Sequence, residues 1–210
     1  MNTSASKPRR GRPPKISRVN CDTRAELIRS GLEQLTEHGF TSSGIEPILK
    51  KIGVPKGSFY HYFSSKEAFG QELIENYANY FSSKLDVHLL DHSAAPLARI
   101  ASFVEDAKAG MQRHQFKRGC LIGNLGQEVD SLPAGYRQLL MTTFASWQQR
   151  IQRCLEQAKV QKQISATADC EQLAEYFWLG WEGAVSRAKL VQESTPLDNF
   201  LSCFIAGLPR

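Results

Sequence analysis

The stretch 42–69, SSGIEPILKKIGVPKGSFYHYFSSKEAF, constrains the fold more than any other part of the chain. Ile45, Ile48, Leu49 and Ile52 recur at helical spacing, so one face of a short helix is buried. Gly53 follows the last apolar position, where a helix can end in a left-handed residue. Pro55 suits the first turn of a second helix, where its missing N–H costs nothing. Two helices joined by so tight a glycine turn predict a helix-turn-helix, with residues 55–62 as the helix that enters a DNA major groove.

The exposed residues of that second helix fit the assignment. Lys56, Ser58, Tyr60, His61 and Tyr62, with Gly57 among them, present donors and no acid. Lysine can contact guanine or phosphate, and serine lets the helix approach closely. Tyrosine and histidine suit phosphate oxygens at the groove edge. Phe59 and Phe63, four apart, read as core anchors. Ser65 then reads as the cap of a longer helix, with Lys66 at its first turn forming a phosphate site. Thr41, Ser42 and Ser43, ahead of the first helix of the pair, are expected caps and phosphate ligands.

Taken together, GVPKGSFYHYFSSKEAF resembles the DNA-binding end of the TetR-type one-component repressors. The resemblance implies three N-terminal helices, a long fourth helix and a variable ligand-sensing domain. It also implies a homodimer on a palindromic double-stranded DNA operator, released by a small-molecule effector. The expected mechanism is that ligand favours a swung fourth helix and so depopulates the DNA-competent spacing.

The 210 residues, 41% of them apolar, suffice for a small DNA-binding module and one larger core. No apolar run approaches the ~20 residues that span a bilayer, and the start of the chain is basic rather than a leader, so no membrane partner is expected. The five cysteines (Cys21, Cys120, Cys154, Cys170, Cys203) form no CxxC pair, which argues against disulfides and structural zinc and for a reducing cytoplasm, where the DNA-binding resemblance implies association with the nucleoid. Residues 1–20 hold Lys7, Arg9, Arg10, Arg12, Lys15 and Arg18 and no acid, so the net charge of +5 is carried by a tail. Within it KPRRGRPPK resembles an AT-hook: Pro and Gly keep the strand thin, and Arg10 and Arg12 can lie along an A·T minor groove. The same charges also suit a generic arm that binds phosphates without preference.

Periodicity predicts helices throughout and no strand, an all-α chain with a first helix from Asp22 or Thr23 to Gly39. The fourth helix should run to about Leu90, and the rest fall near 96–115, 119–129, 133–161, 169–191 and 196–208. The expected domains are 1–20 (basic arm), 21–67 (DNA binding) and 68–210 (ligand binding and dimerisation). His88 and His92 have a metal-site spacing but no third ligand nearby, and read as a solvated helix end. Helix 169–191, with Phe177, Trp178, Trp181, Val185 and Ala188, and the last helix, with Phe200, Phe204 and Ile205, are the expected dimer surface.

The segments FKRGCLIGNLGQEV and FWLGWEGAVSRAKL, with the basic tail, resemble the AcuR-type branch, which implies control of acrylate and dimethylsulfoniopropionate breakdown. The related NemR-type branch implies electrophile sensing through a cysteine matching Cys120. The lysine paired with it there falls on Ser186 here, a departure from that scheme. A small carboxylate needs a cation, donors and an apolar wall. Arg118, Arg187 and Lys189 are the expected cations, Asn124 a donor, and Trp147, Tyr176 and Trp181 the wall. Cys120 is either a buried filler or a thiol that adds to the effector. No phosphate loop, metal spacing or nucleophile elbow suggests an enzyme or a cofactor. A merely architectural DNA-coating protein would show little sequence preference and little dependence on the helix-turn-helix.

Overall fold

The computed structural model describes residues 22–210, so Arg10, Arg12, Cys21 and the AT-hook-like arm lie outside the described residues. Among these residues the chain is helical, with nine α-helices and no strand. They are α1 (Thr23–His38), α2 (Ile45–Ile52), α3 (Lys56–Tyr62), α4 (Lys66–Leu89), α5 (Pro96–Arg113), α6 (Leu121–Gln127), α7 (Tyr136–Val160), α8 (Cys170–Val191) and α9 (Thr195–Gly207).

Local chemistry sets the boundaries. Asp22 caps α1 by accepting the N–H groups of Arg24 and Ala25 at 3.0 and 3.2 Å. The helix ends at Gly39, whose φ of 78° favours glycine. Gly53 closes α2 in the left-handed conformation, and the Val54 N–H returns to the Leu49 carbonyl at 3.0 Å, the bonding that turns the chain into α3. Pro55 stands just before α3 as its cap residue. Ser65 caps α4 by accepting the Ala68 N–H at 3.1 Å.

The three short helices share an apolar centre of Leu27, Leu35, Ile48, Leu49, Phe59, Phe63 and Phe69. Phe59, Phe63 and Phe69 meet at centroid separations of 4.6 to 5.4 Å, so Phe59 of α3 and Phe63 just after it act as anchors. Gly31 lets α1 close onto α4, since a Cβ there would collide with Phe69 and Leu73.

Helix α4 extends about 36 Å at 1.5 Å per residue. Its far half is bound to neighbouring helices. Asp86 takes both arms of the Arg150 guanidinium from α7, at 2.8 and 3.2 Å. Asp106 of α5 receives Lys84 at 2.6 Å and lies 3.4 Å from the His88 ring. His88 also meets Ser102 at 2.9 Å, so it is tied to α5 rather than solvated, while His92 is exposed. Among the described residues no group of three metal-ligating side chains occurs.

Helices α5, α7 and α8 enclose an aromatic core in which Trp147 lies 4.5 Å from Phe81 and 5.2 Å from Trp178. This core takes up much of the apolar surface expected at the dimer interface. Phe177, Trp178, Trp181, Val185, Ala188 and Phe204 are all buried within one chain, and Phe200 and Ile205 pack against that core. The outward face of α8 carries Tyr176, Leu179 and Leu190 instead. No helix among the described residues is long and apolar enough to cross a membrane.

Candidate nucleic-acid interface and effector site

On α3, Lys56, Gly57, Tyr60, His61 and Tyr62 are exposed and Ser58 is half-buried. A Cβ at Gly57 would meet nothing, so this chain's own packing does not require the glycine. Lys56 makes a 3.5 Å surface pair with Glu46, a contact of the kind worth little in water. The neighbouring residues depart from expectation. Ser43 is buried, with its hydroxyl donating to the Gly39 carbonyl at 2.5 Å. Ser42 is exposed but donates to the His38 carbonyl, and neither serine caps α2, whose start at Gly44 has no side-chain cap. Lys66 turns inward, donating to the Phe40 carbonyl at 3.0 Å with its ammonium 4.3 Å from the Phe40 ring centroid. Thr41 is exposed.

Several residues expected to line a pocket instead hold the C-terminal end of α1. Lys189 donates to the Thr36 and Glu37 carbonyls at 3.3 and 2.9 Å. Burial lowers its pKa. Asn124 donates to the Thr36 carbonyl at 3.0 Å. Arg118 pairs with Glu37 at 2.9 Å and reaches Glu33 at 3.7 Å. The reason is physical: the last carbonyls of a helix lack intrahelical partners and carry partial negative charge, so they attract donors and cations. Tyr176 and Arg187, also expected at the pocket, are exposed on α8.

Glu128, immediately after α6, adds a second grip that sequence reasoning missed. Its carboxylate accepts the Phe40 N–H at 3.1 Å and the Thr41 N–H at 2.7 Å. Gly39 makes room for it, because a Cβ there would overlap Glu128 Oε1. Tyr136 donates to the Glu67 carbonyl at 2.6 Å and meets the Phe40 ring edge-on. Helix α6 and its flanks therefore hold the turn that leads into α2.

The other end of α6 enters the interior. Cys120 caps it, its sulfur accepting the Gly123 N–H at 3.4 Å. The Cys120 thiol and the Tyr77 hydroxyl of α4 adjoin the carboxyl of Glu182 on α8. Glu182 Oε2 lies over Gly123, where a Cβ would overlap it. Glu182 Oε1 is buried without a hydrogen-bond partner, as is Trp178 Nε1 one helical turn away. Trp147 and Trp181 are fully buried in the adjoining core, the former donating to Ser82 at 3.1 Å.

Burial pushes the Glu182 carboxyl up to about 7, moderated by the Cys120 hydrogen bond. Burial, and next the Glu182 charge, push the Cys120 thiol well above its usual range. Burial, and next Cys120, do the same to Tyr77. Glu182 had no sequence signal beyond its place beside Gly183 in FWLGWEGAV.

Comparison with known proteins settles the family. Residues 27–73 match the model of bacterial regulatory proteins of the tetR family, and residues 96–204 match the tetracyclin repressor-like C-terminal domain. The chain belongs to the TetR family. It is 49% identical over 201 residues to transcriptional regulator AcuR of Cereibacter sphaeroides, covering 94% of this chain and 90% of that one. Among solved structures it resembles regulatory protein TetR from Rhodobacter sphaeroides, with a TM-score of 0.86 and 49% identity, covering 88% of this chain and 97% of that one. It also resembles Escherichia coli NemR in its reduced form, with a TM-score of 0.77 and 29% identity over 87% and 95% of the chains. These TetR-family relatives are regulators, not enzymes, and the chain is a TetR-family transcriptional repressor.

Proposed function

We propose that this TetR-family protein is a homodimeric repressor that leaves its operator when a small carboxylate, acrylate or a close analogue, binds beside Cys120 and Glu182. The observation carrying the reading is the span of α6. One end is capped by Cys120 in the interior acid cluster, and the other holds the backbone of Phe40 and Thr41 through Glu128. A ligand that displaces α6 changes where the DNA-binding end can sit relative to α4. Linkage then requires DNA to weaken ligand binding by the same factor.

On the DNA side, Lys56, Gly57, Ser58, Tyr60, His61 and Tyr62 form the surface offered to the major groove. The open space over Gly57 supports close approach of α3 to the duplex. The arm bearing Arg10 and Arg12 adds affinity through the minor groove or phosphates. Two subunits meet across the exposed Tyr176, Leu179 and Leu190 of α8, an apolar strip of the kind that marks an interface, and so match a palindrome.

The effector class rests on the likeness to AcuR-type proteins and on the two unpartnered groups, Trp178 Nε1 and Glu182 Oε1. Cys120 favours reversible binding over thiol chemistry. Attack needs thiolate, and its buried environment holds the thiol neutral. Footprinting on the DNA upstream of the gene, with and without acrylate, tests the reading. Two symmetric protected half-sites that vanish with acrylate support it, and protection unchanged by acrylate removes the effector assignment.

A further inference from the structure

The interior acid cluster presents an electrostatic problem for a carboxylate effector. Trp178 and Glu182 are four apart on α8, and so share one face of the helix. Trp178 offers a buried N–H and Glu182 a buried carboxyl oxygen, both without partners. Unpaired buried polar groups are costly, and a ligand that satisfies both recovers that cost. A carboxyl group has two oxygens to offer such a pair. One can accept the indole N–H. The other can meet Glu182 only if a proton lies between them, because two facing carboxylates repel.

Resting on the effector reading above, we infer that Glu182 is the specificity residue of the site and binds the effector carboxyl through a shared proton, taken up from solvent when Glu182 is ionised before binding. The bond that forms is O–H···O between Glu182 Oε1 and one effector oxygen, while the second effector oxygen accepts the Trp178 N–H. No covalent bond is made and no redox partner is needed.

The surroundings favour this over a cationic partner for the effector. Tyr77 from α4 and Cys120 at the start of α6 are the titratable groups acting with Glu182, and burial holds both neutral. Lys189 on α8 and Arg118 before α6 are spent on the carbonyls and carboxylates of α1. Glu182 alone of the three gains and loses its proton near neutrality.

The test is calorimetric binding of acrylate and of propionate, which has no alkene for a thiol to attack, to the full-length protein between pH 6 and 9. The wild type should bind both with a near-constant Kd below pH 7 and a Kd rising about tenfold per pH unit well above it. Glu182→Gln supplies an amide donor without a proton to exchange, so it should keep binding and lose the slope. Trp178→Phe should weaken binding at every pH and keep the slope. Binding by the wild type with no pH dependence between 7 and 9, or a slope that survives Glu182→Gln, overturns the shared proton and leaves the effector reading intact. Failure of both acids to bind at any pH, in protein that still binds its operator, overturns both.

Discussion

The carboxylate of Glu128 accepts the backbone N–H of Thr41 at 2.7 Å, across 87 residues of chain. With the bond to Phe40 beside it, it ties the residue that follows α6 to the turn that leads into α2. The carbonyls at the end of α1 are held from the same side by Lys189 and Asn124. In the proposed mechanism, displacement of the buried end of α6 is passed to the DNA-binding helices through these backbone hydrogen bonds as well as through α4.

Glu128→Ala should uncouple the two ends. The variant should still bind its operator, but acrylate should change the operator Kd by severalfold less than in the wild type. Anisotropy titrations with and without acrylate measure this. An undiminished acrylate effect would place the coupling in α4 alone.

On the DNA side, Tyr60→Ala should abolish operator binding while leaving the melting temperature close to wild type, because the ring is half exposed. Lys56→Ala should weaken binding by roughly tenfold and reduce the slope of log K against log salt by about one. Normal footprints from either protein would move the recognition surface off α3.

Glu182 also makes stability depend on pH. Its folded pKa of about 7 stands above the ordinary value of 4.5, so the native state binds the proton more tightly than the unfolded chain does. Its contribution is greatest below the unfolded value and is lost as pH rises through the folded one, by roughly 3 kcal/mol. Glu182→Gln escapes that loss. Its melting temperature relative to wild type should rise between pH 5 and 8, and a constant difference across that range would refute the assignment.

Leu179→Asp together with Leu190→Asp should shift the protein from dimer to monomer in light scattering and remove binding to the palindrome. The buried Trp181 offers no such handle, since its replacement would damage the core. A double variant that stays dimeric would place the interface elsewhere.

The sequence made the helix-turn-helix legible because its signals are local. Gly53 and Pro55 mark the turn, Ser65 caps α4, and Phe59 with Phe63 anchor α3 whatever surrounds them. The sensing domain was less legible for two reasons. Trp178 and Trp181 lie on an apolar face, but periodicity does not say whether that face meets its own chain or another copy. Lys189 and Arg118 have the charge for an anion pocket, yet helix α1 brings unpaired carbonyls to the first and the Glu37 carboxylate to the second from over 80 positions away. Glu182 was unreadable for the same cause, because its meaning comes from Cys120 and Tyr77 on other helices.

The most direct test of the account is fluorescence anisotropy of the wild type and Cys120→Ser on labelled upstream DNA, titrated with acrylate and then dialysed. The account predicts release in both proteins and full rebinding after dialysis. Release that persists after dialysis in the wild type and is absent from Cys120→Ser would contradict it, because the thiol would then be the sensor.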